Sequence, residues 1–169
     1  LITLFILVSM VFIASWLALG TVSKDRINLL KIVFISILFG GGIILLLVTQ
    51  FVLKLDPWYM PRYMIPIAGM VFASSMNGVS LAAERLKAEL DRNISYDKAK
   101  SIALKASLIP ITNSLFAVGL VSLPGMMTGQ ILSGISPHIA IRYQIMVMCM
   151  IFSAVGISSY LFLTFVKNK

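Results

Sequence analysis

The chain has 169 residues, 59% of them hydrophobic and 12% charged, with a net charge of +8; an ordinary soluble domain carries about 25% charged residues. So much apolar surface excludes a water-soluble fold of this size and makes lipid the solvent. The basic excess lies between long uncharged runs, where it reports membrane orientation rather than nucleic-acid binding, and the single cysteine, Cys149, excludes an intrachain disulfide and a CxxC metal site.

Five segments free of Asp, Glu, Lys and Arg approach the length of about 20 helical residues that crosses a hydrocarbon core of about 30 Å. They are 1–20, 32–53, 63–83, 106 to about 123, and about 143 to 166. None alternates as barrel strands do. The expected fold is therefore all-α, a polytopic transmembrane bundle of about five spanning helices in one domain over 1–169. Leu1 enters an apolar run with neither an initiator Met nor a basic leader, so the sequence reads as a fragment or a chain lacking its start, and not as led in by a signal peptide.

Placing the connection 84–105 in the cytoplasm puts Lys24, Arg26, Lys31, Arg85, Lys87, Arg92, Lys98, Lys100, Lys105, Lys167 and Lys169 on one side and Lys54, Arg62 and Arg142 on the other, which accounts for all 14 basic residues. Leu1 then faces outside and the C-terminus the cytoplasm. The connection is rich in helix formers, with Asn93 and Ser95 placed to break or cap two short helices.

No GxxxxGK[ST] loop occurs, so the chain hydrolyses no ATP by itself. A GxSxG elbow, an HExxH pair and an apolar carboxylate pair are also lacking, which argues against an intramembrane enzyme. His138, the one histidine, sits beside Pro137 at an expected membrane boundary and suits an interfacial place. Spans without charged side chains argue against proton coupling and voltage sensing.

The spans do carry neutral polar groups. Met70, Ser74 and Asn77 share one face of the third span, and Asn113 lies near the middle of the fourth, three residues after Pro110, an expected helix break whose missing N–H frees a carbonyl one turn earlier. These groups either line one polar path or hydrogen-bond between helices as glue. Met146, Met148 and Met150, spaced by two, fall on different faces and read as packing, whereas the adjacent Met126 and Met127 are open to a soft-contact role.

In the stretch VGLVSLPGMMTGQILSGISP, Pro124 and Gly125 should end or bend the fourth helix, Gly125 and Gly129 form a GxxxG spacing, and Gly134 with Pro137 ends a second short helical piece. Irregular backbone at membrane depth needs protein or a water-filled cavity around it. The broken segment 124–137 is either a packing corner or part of a lined pathway, and Thr128 and Gln130 favour the pathway.

The runs MIPIAGMVFASSMN, SLIPITNS, VGLVSLPGMMTGQILSGISP and IRYQIMVM closely resemble the ABC-transporter permeases associated with bacterial iron export, whose plant relatives are linked to aluminium tolerance. The match is specific from Met64 to about Met150; the first two spans match by hydropathy alone. The resemblance implies a membrane subunit of the bacterial inner membrane, paired as a permease homodimer with separate ATPase subunits that hold ATP and magnesium, and no cofactor in this chain. It implies a cytoplasmic helix that docks on the ATPase, a role open only to 84–105, with Glu84, Arg85, Lys87, Glu89, Arg92, Asp97 and Lys98 as its coupling groups. Members of the family usually carry further spans before the point where this chain begins, and a longer connection with a Leu-Gly-Ala-Thr segment that this chain lacks.

The expected function is ATP-driven export of iron or a related metal or solute, with Ser74, Asn77, Asn113, Thr128, Gln130, Met126 and Met127 along the pathway. A scaffold that recruits a cytoplasmic partner through 84–105, and an ATP-independent channel or secondary transporter, are the alternatives.

Overall fold

Apolar runs without internal charge can satisfy their backbone only as helices once water is removed. The computed structural model, which describes residues 2–20, 26–57 and 59–168, accordingly consists of α1 (Ile2–Ala18), α2 (Arg26–Leu47) continued by a π-helical turn (Val48–Val52), α3 (Pro61–Leu90), α4 (Tyr96–Ala117), α5 (Gly125–Leu132) and α6 (Pro137–Phe165) closed by a 3-10 turn (Val166–Asn168). Leu1, Lys24 and Lys169 lie outside the described residues. Prolines open α3 and α6 at first-turn positions where no intrahelical N–H is needed. Among the described residues there is no strand, only an isolated bridge between Val118 and Ser122.

The chain is an integral membrane protein with an all-α bundle. Among the described residues three helical stretches, Leu29–Val52, Pro61–Leu90 and Pro137–Phe165, are long and apolar enough to cross a membrane. The 17-residue α1 is shorter, and α4 carries Asp97, Lys98, Lys100 and Lys105 in its first half. α6 packs against α2, α3, α4 and α5, while α1 lies on α2 and α3. Val71, Val79, Ala154, Phe162 and Leu163 are buried between α3 and α6 and their neighbours.

Close crossings fall at small residues. A Cβ added to Gly40 on α2 would lie 2.7 Å from the Ser158 nitrogen of α6, and one added to Gly78 on α3 would lie 2.6 Å from Val155 Cγ1. By contrast, nothing lies within 4 Å of a Cβ built on Gly125 or Gly129. Among the described residues of this chain, the GxxxG spacing there makes no close approach.

Three further expectations differ from the structure. Pro110 does not break its helix: α4 runs through it to Ala117, although its missing N–H removes one backbone donor. The fourth helix ends before Pro124, where Gly119 adopts φ +81°, a conformation that glycine enters without steric cost. The connection 84–105 holds no separate short helices. With no breaker on either side, α3 and α4 run on to a tight turn at 91–95, and α3 at 30 residues is about 45 Å long.

That turn has a defined chemistry. Asn93 sits at φ +60°, the Asn93 N–H donates to the Leu90 carbonyl at 2.9 Å and the Ile94 N–H to the Glu89 carbonyl at 3.3 Å, which together make a Schellman cap. Ser95 precedes α4 with no side-chain capping bond. The same cap recurs after α5: Gly134 has φ +87°, and the N–H groups of Gly134 and Ile135 donate to Ile131 and Gln130 at 3.0 Å each. Pro124 stands at the N-cap of α5 and Pro137 opens α6.

Candidate functional site

Spacing along three helices builds one uncharged polar cavity of about 200 Å³. From α3 come Ser74, Asn77 and Leu81, from α4 Ser107, Pro110 and Ser114, and from α6 Ile151 and Val155; each set follows the three- or four-residue step of a helix face. The Ser107 and Ser114 hydroxyls donate to the Leu104 and Pro110 carbonyls at 2.8 and 3.0 Å, so they offer the cavity lone pairs. Ser74 and Asn77 make no side-chain hydrogen bond with other described residues and keep donors and acceptors free. The cavity can therefore exchange hydrogen bonds with a passing solute without holding it by charge.

Asn113 does not join Asn77 there. It is exposed on α4 and stands outside the lining residues, because the stripe through Ser107, Pro110 and Ser114 leaves it about a third of a turn away. Those two serines are the α4 polar groups that the sequence pattern missed. Their three-residue offsets on either side of Pro110 and Ile111 were the available signal.

The other expected pathway residues disperse. Met126 and Gln130 line a second cavity of about 790 Å³ between α3, α5, α6 and the segment after α2, together with Lys54, Asp56, Arg62 and Tyr143. Gln130 turns a buried Oε1 without a hydrogen-bond partner toward the interior. Met127 is buried on a different face of α5, against a third, mainly apolar cavity of about 440 Å³ that also includes Cys149 in its lining. Thr128 spends its hydroxyl on the Pro124 carbonyl at 3.2 Å. Met146, Met148 and Met150 do diverge, toward the second cavity, the third cavity and the core. His138 is exposed in the first turn of α6.

At the far end, Glu84, Arg85, Lys87, Arg92, Asp97 and Lys98 are exposed around the 91–95 turn. Glu89 is not: it is 2% exposed, held 2.6 Å from Arg85 Nη2 and 3.6 Å from Arg92 Nη1. It faces inward because it continues the buried stripe of Val79, Ala82 and Leu86 along α3, and the i−4 and i+3 arginines pair with it there. The start of α4 is tied to the end of α6. The Tyr96 hydroxyl donates to the Leu163 carbonyl at 2.6 Å, Lys100 donates to Thr164 at 2.7 Å and Lys167 pairs with Asp97 at 2.8 Å. Burial, and then the Asp97 charge, push the Tyr96 phenol above its ordinary range. The Lys167 hydrogen bond and charge hold the Asp97 carboxyl below the usual carboxylate range.

Compared with known proteins, residues 1–97 and 94–169 match, in two stretches that meet at the turn, the profile described as "Uncharacterised protein family (UPF0014)". The UPF0014 membrane protein slr1647 of Synechocystis sp. is 35% identical over 166 residues, covering 88% of this chain and 63% of that protein. The "Probable iron export permease protein FetB" of Escherichia coli K12 is 36% identical over 151 residues, 79% of this chain and 57% of its own length. The "Protein ALUMINUM SENSITIVE 3" of Arabidopsis thaliana is 37% identical over 141 residues, 74% and 50%. The chain thus spans between half and just under two thirds of the length of these relatives. No solved structure matches it.

Proposed function

From the premise that this chain belongs to the UPF0014 family, we propose that it is the permease part of an ATP-driven exporter whose cargo is iron or a related metal or solute. The observation that carries the reading is the uncharged polar cavity between α3, α4 and α6, bordered by Ser74, Asn77, Ser107 and Ser114. Its lining favours transient hydrogen bonds over tight coordination, which a conduit needs. Likeness to a protein named a probable iron export permease supports the cargo class. Among the described residues no group of three or more His, Cys, Asp or Glu gathers as a metal cage.

The chain has no phosphate-binding loop, and the energy source is a separate ATPase subunit carrying ATP and magnesium. Its docking place is the 91–95 turn and the exposed Glu84, Arg85, Lys87, Arg92, Asp97 and Lys98, with Glu89 bracing the turn from inside. Because α4 is tied to α6 there, movement of the turn reaches two walls of the polar cavity together. Two permease chains and two ATPases form the working unit in the inner membrane, with the 91–95 turn in the cytoplasm.

The test is uptake of ferrous and ferric iron into inverted vesicles holding the permease and its ATPase. ATP-dependent accumulation is expected, abolished by an ATPase-dead partner and lowered at least fivefold by Asn77→Leu. Flux that persists without ATP would establish a channel instead, and a stable complex that moves no solute would establish a scaffold.

A further inference from the structure

Two cavities at the end opposite the 91–95 turn adjoin, since Leu53, Tyr143 and Met146 line both. The larger contains Lys54, Asp56 and Arg62, and the smaller, about 370 Å³, contains Arg142. Every basic residue that the sequence assigns to this end therefore lines this adjoining pair of cavities, hereafter the cleft, with a single acid for company. Among the described residues none of these four groups forms an ion pair. Three cations and one anion leave the cleft with a net charge of +2. The cavity beside Asn77, by contrast, is lined by no charged side chain.

A bare divalent cation is repelled from such a cleft, because its one carboxylate, Asp56, is outnumbered by basic groups and its thioethers, Met70, Met126 and Met146 among them, bring no negative charge to offset the repulsion. The same wall suits an anion well. Two guanidinium forks match carboxylate or phosphate oxygens in pairs, Lys54 adds a point charge, and Gln130 contributes polarity deeper in. Thioethers and the Tyr143 ring offer contact to a carbon skeleton. The larger cavity, about 790 Å³, lies within the range of roughly 300–1,000 Å³ usual for small-molecule sites.

We propose that this cleft binds an organic anion bearing several carboxylate or phosphate groups, and that a metal cargo passes it as an anionic chelate and not as a free ion. The word cargo rests on the permease reading above; the binding is an equilibrium property that needs neither ATP nor a partner.

The full chain in nanodiscs of zwitterionic phosphatidylcholine is titrated calorimetrically with the ferric citrate complex, with citrate alone and with ferrous iron under reducing conditions. Ferric citrate is expected to bind saturably, ferrous iron to show no saturable heat, and Arg62→Gln and Arg142→Gln each to weaken the chelate at least tenfold. Lys105→Gln, an equal charge loss at the other end, should leave Kd within twofold. Asp56→Asn, which removes the one acid without touching a basic group, should tighten binding at least twofold, so the idea stays testable if an arginine variant fails to fold. Ferrous iron binding as tightly as the chelate, or equal losses at Arg62 and Lys105, would overturn it. Displacement of the chelate when phosphatidylglycerol is added to the discs would assign the cleft to lipid headgroups and overturn its cargo role. Absent chelate binding alongside ATP-driven iron uptake in vesicles would sink this proposal and leave the permease reading standing.

Discussion

A methyl group on Gly40 would stand 2.7 Å from the backbone nitrogen of Ser158 and 2.8 Å from its Cα. Backbone cannot rotate aside as a side chain does, so Gly40→Ala has to push α2 away from α6. Gly42, on the same helix, has open space around the equivalent position. Gly40→Ala should cost about 1–3 kcal/mol, the usual cost of overpacking, while Gly42→Ala should change stability by less than about 0.5 kcal/mol. Thermal unfolding in detergent reads both, and equal melting temperatures would show that α2 and α6 are not held at this crossing. Gly78→Ala should cost an amount similar to Gly40→Ala, because the atom it meets, Val155 Cγ1 at 2.6 Å, belongs to a buried β-branched side chain that a helix holds in one rotamer. Glycine spacing in the sequence points to Gly125 and Gly129 instead. A one-dimensional spacing shows that two small residues share a helix face, but not whether another helix crosses that face.

Among the elements, the join between α4 and α6 is the contact most open to measurement. Replacing Tyr96 by Phe removes a hydroxyl that donates to the Leu163 carbonyl at 2.6 Å and should cost about 1 kcal/mol. The ion pair of Asp97 with Lys167 adds a pH dependence of known sign. Its carboxyl is held below the ordinary range in the fold, so the contribution is present above the ordinary carboxylate pKa of about 3.9 and is lost as pH falls through the lower folded value. Asp97→Asn should therefore lower the melting temperature slightly and evenly from pH 5 to 8, and the gap from the unmodified chain should close in strong acid. A gap that persists at the acid end would mean that the pair does not stabilise the fold. Both groups are solvent-exposed, so high salt should shrink the effect too. The elements themselves were largely legible, since uncharged runs announce α2, α3 and α6 and a Pro or Gly marks each end of α5. The join was not legible, because Tyr96 and Leu163 are 67 residues apart and nothing local records their meeting. The two halves of the candidate site fared differently for the same reason. Ser74 and Asn77 share one helix and their common face follows from spacing, whereas the choice of Ser107 and Ser114 over Asn113 depends on how α4 is rotated against α3.

On the scale of the whole molecule, charge divides by end. The helical paths from Lys31 to Lys54, from Arg62 to Glu84 and from Arg142 to Lys167 each rise about 33–38 Å, close to a hydrocarbon core of about 30 Å plus its margins. Contacts tie Asp97 and Lys100 of α4 to Lys167 and Thr164 at the end of α6, and cavity walls bring Lys54, Arg62 and Arg142 together at the other end. The sorting that the sequence suggests is thus one that the fold can realise, with the basic-rich end at the 91–95 turn. Excess Lys and Arg are retained on the cytoplasmic side during insertion, so Lys98 should face the cytoplasm and Lys54 the outside. Single cysteines at these exposed positions, in a background with Cys149→Ser, test this with a membrane-impermeant maleimide. Lys98→Cys should label in inside-out vesicles and stay protected in right-side-out ones, and Lys54→Cys should behave in the opposite way. The reverse pattern would place the turn outside, beyond reach of any cytoplasmic ATPase, and would move the cationic cleft to the side from which cargo is loaded.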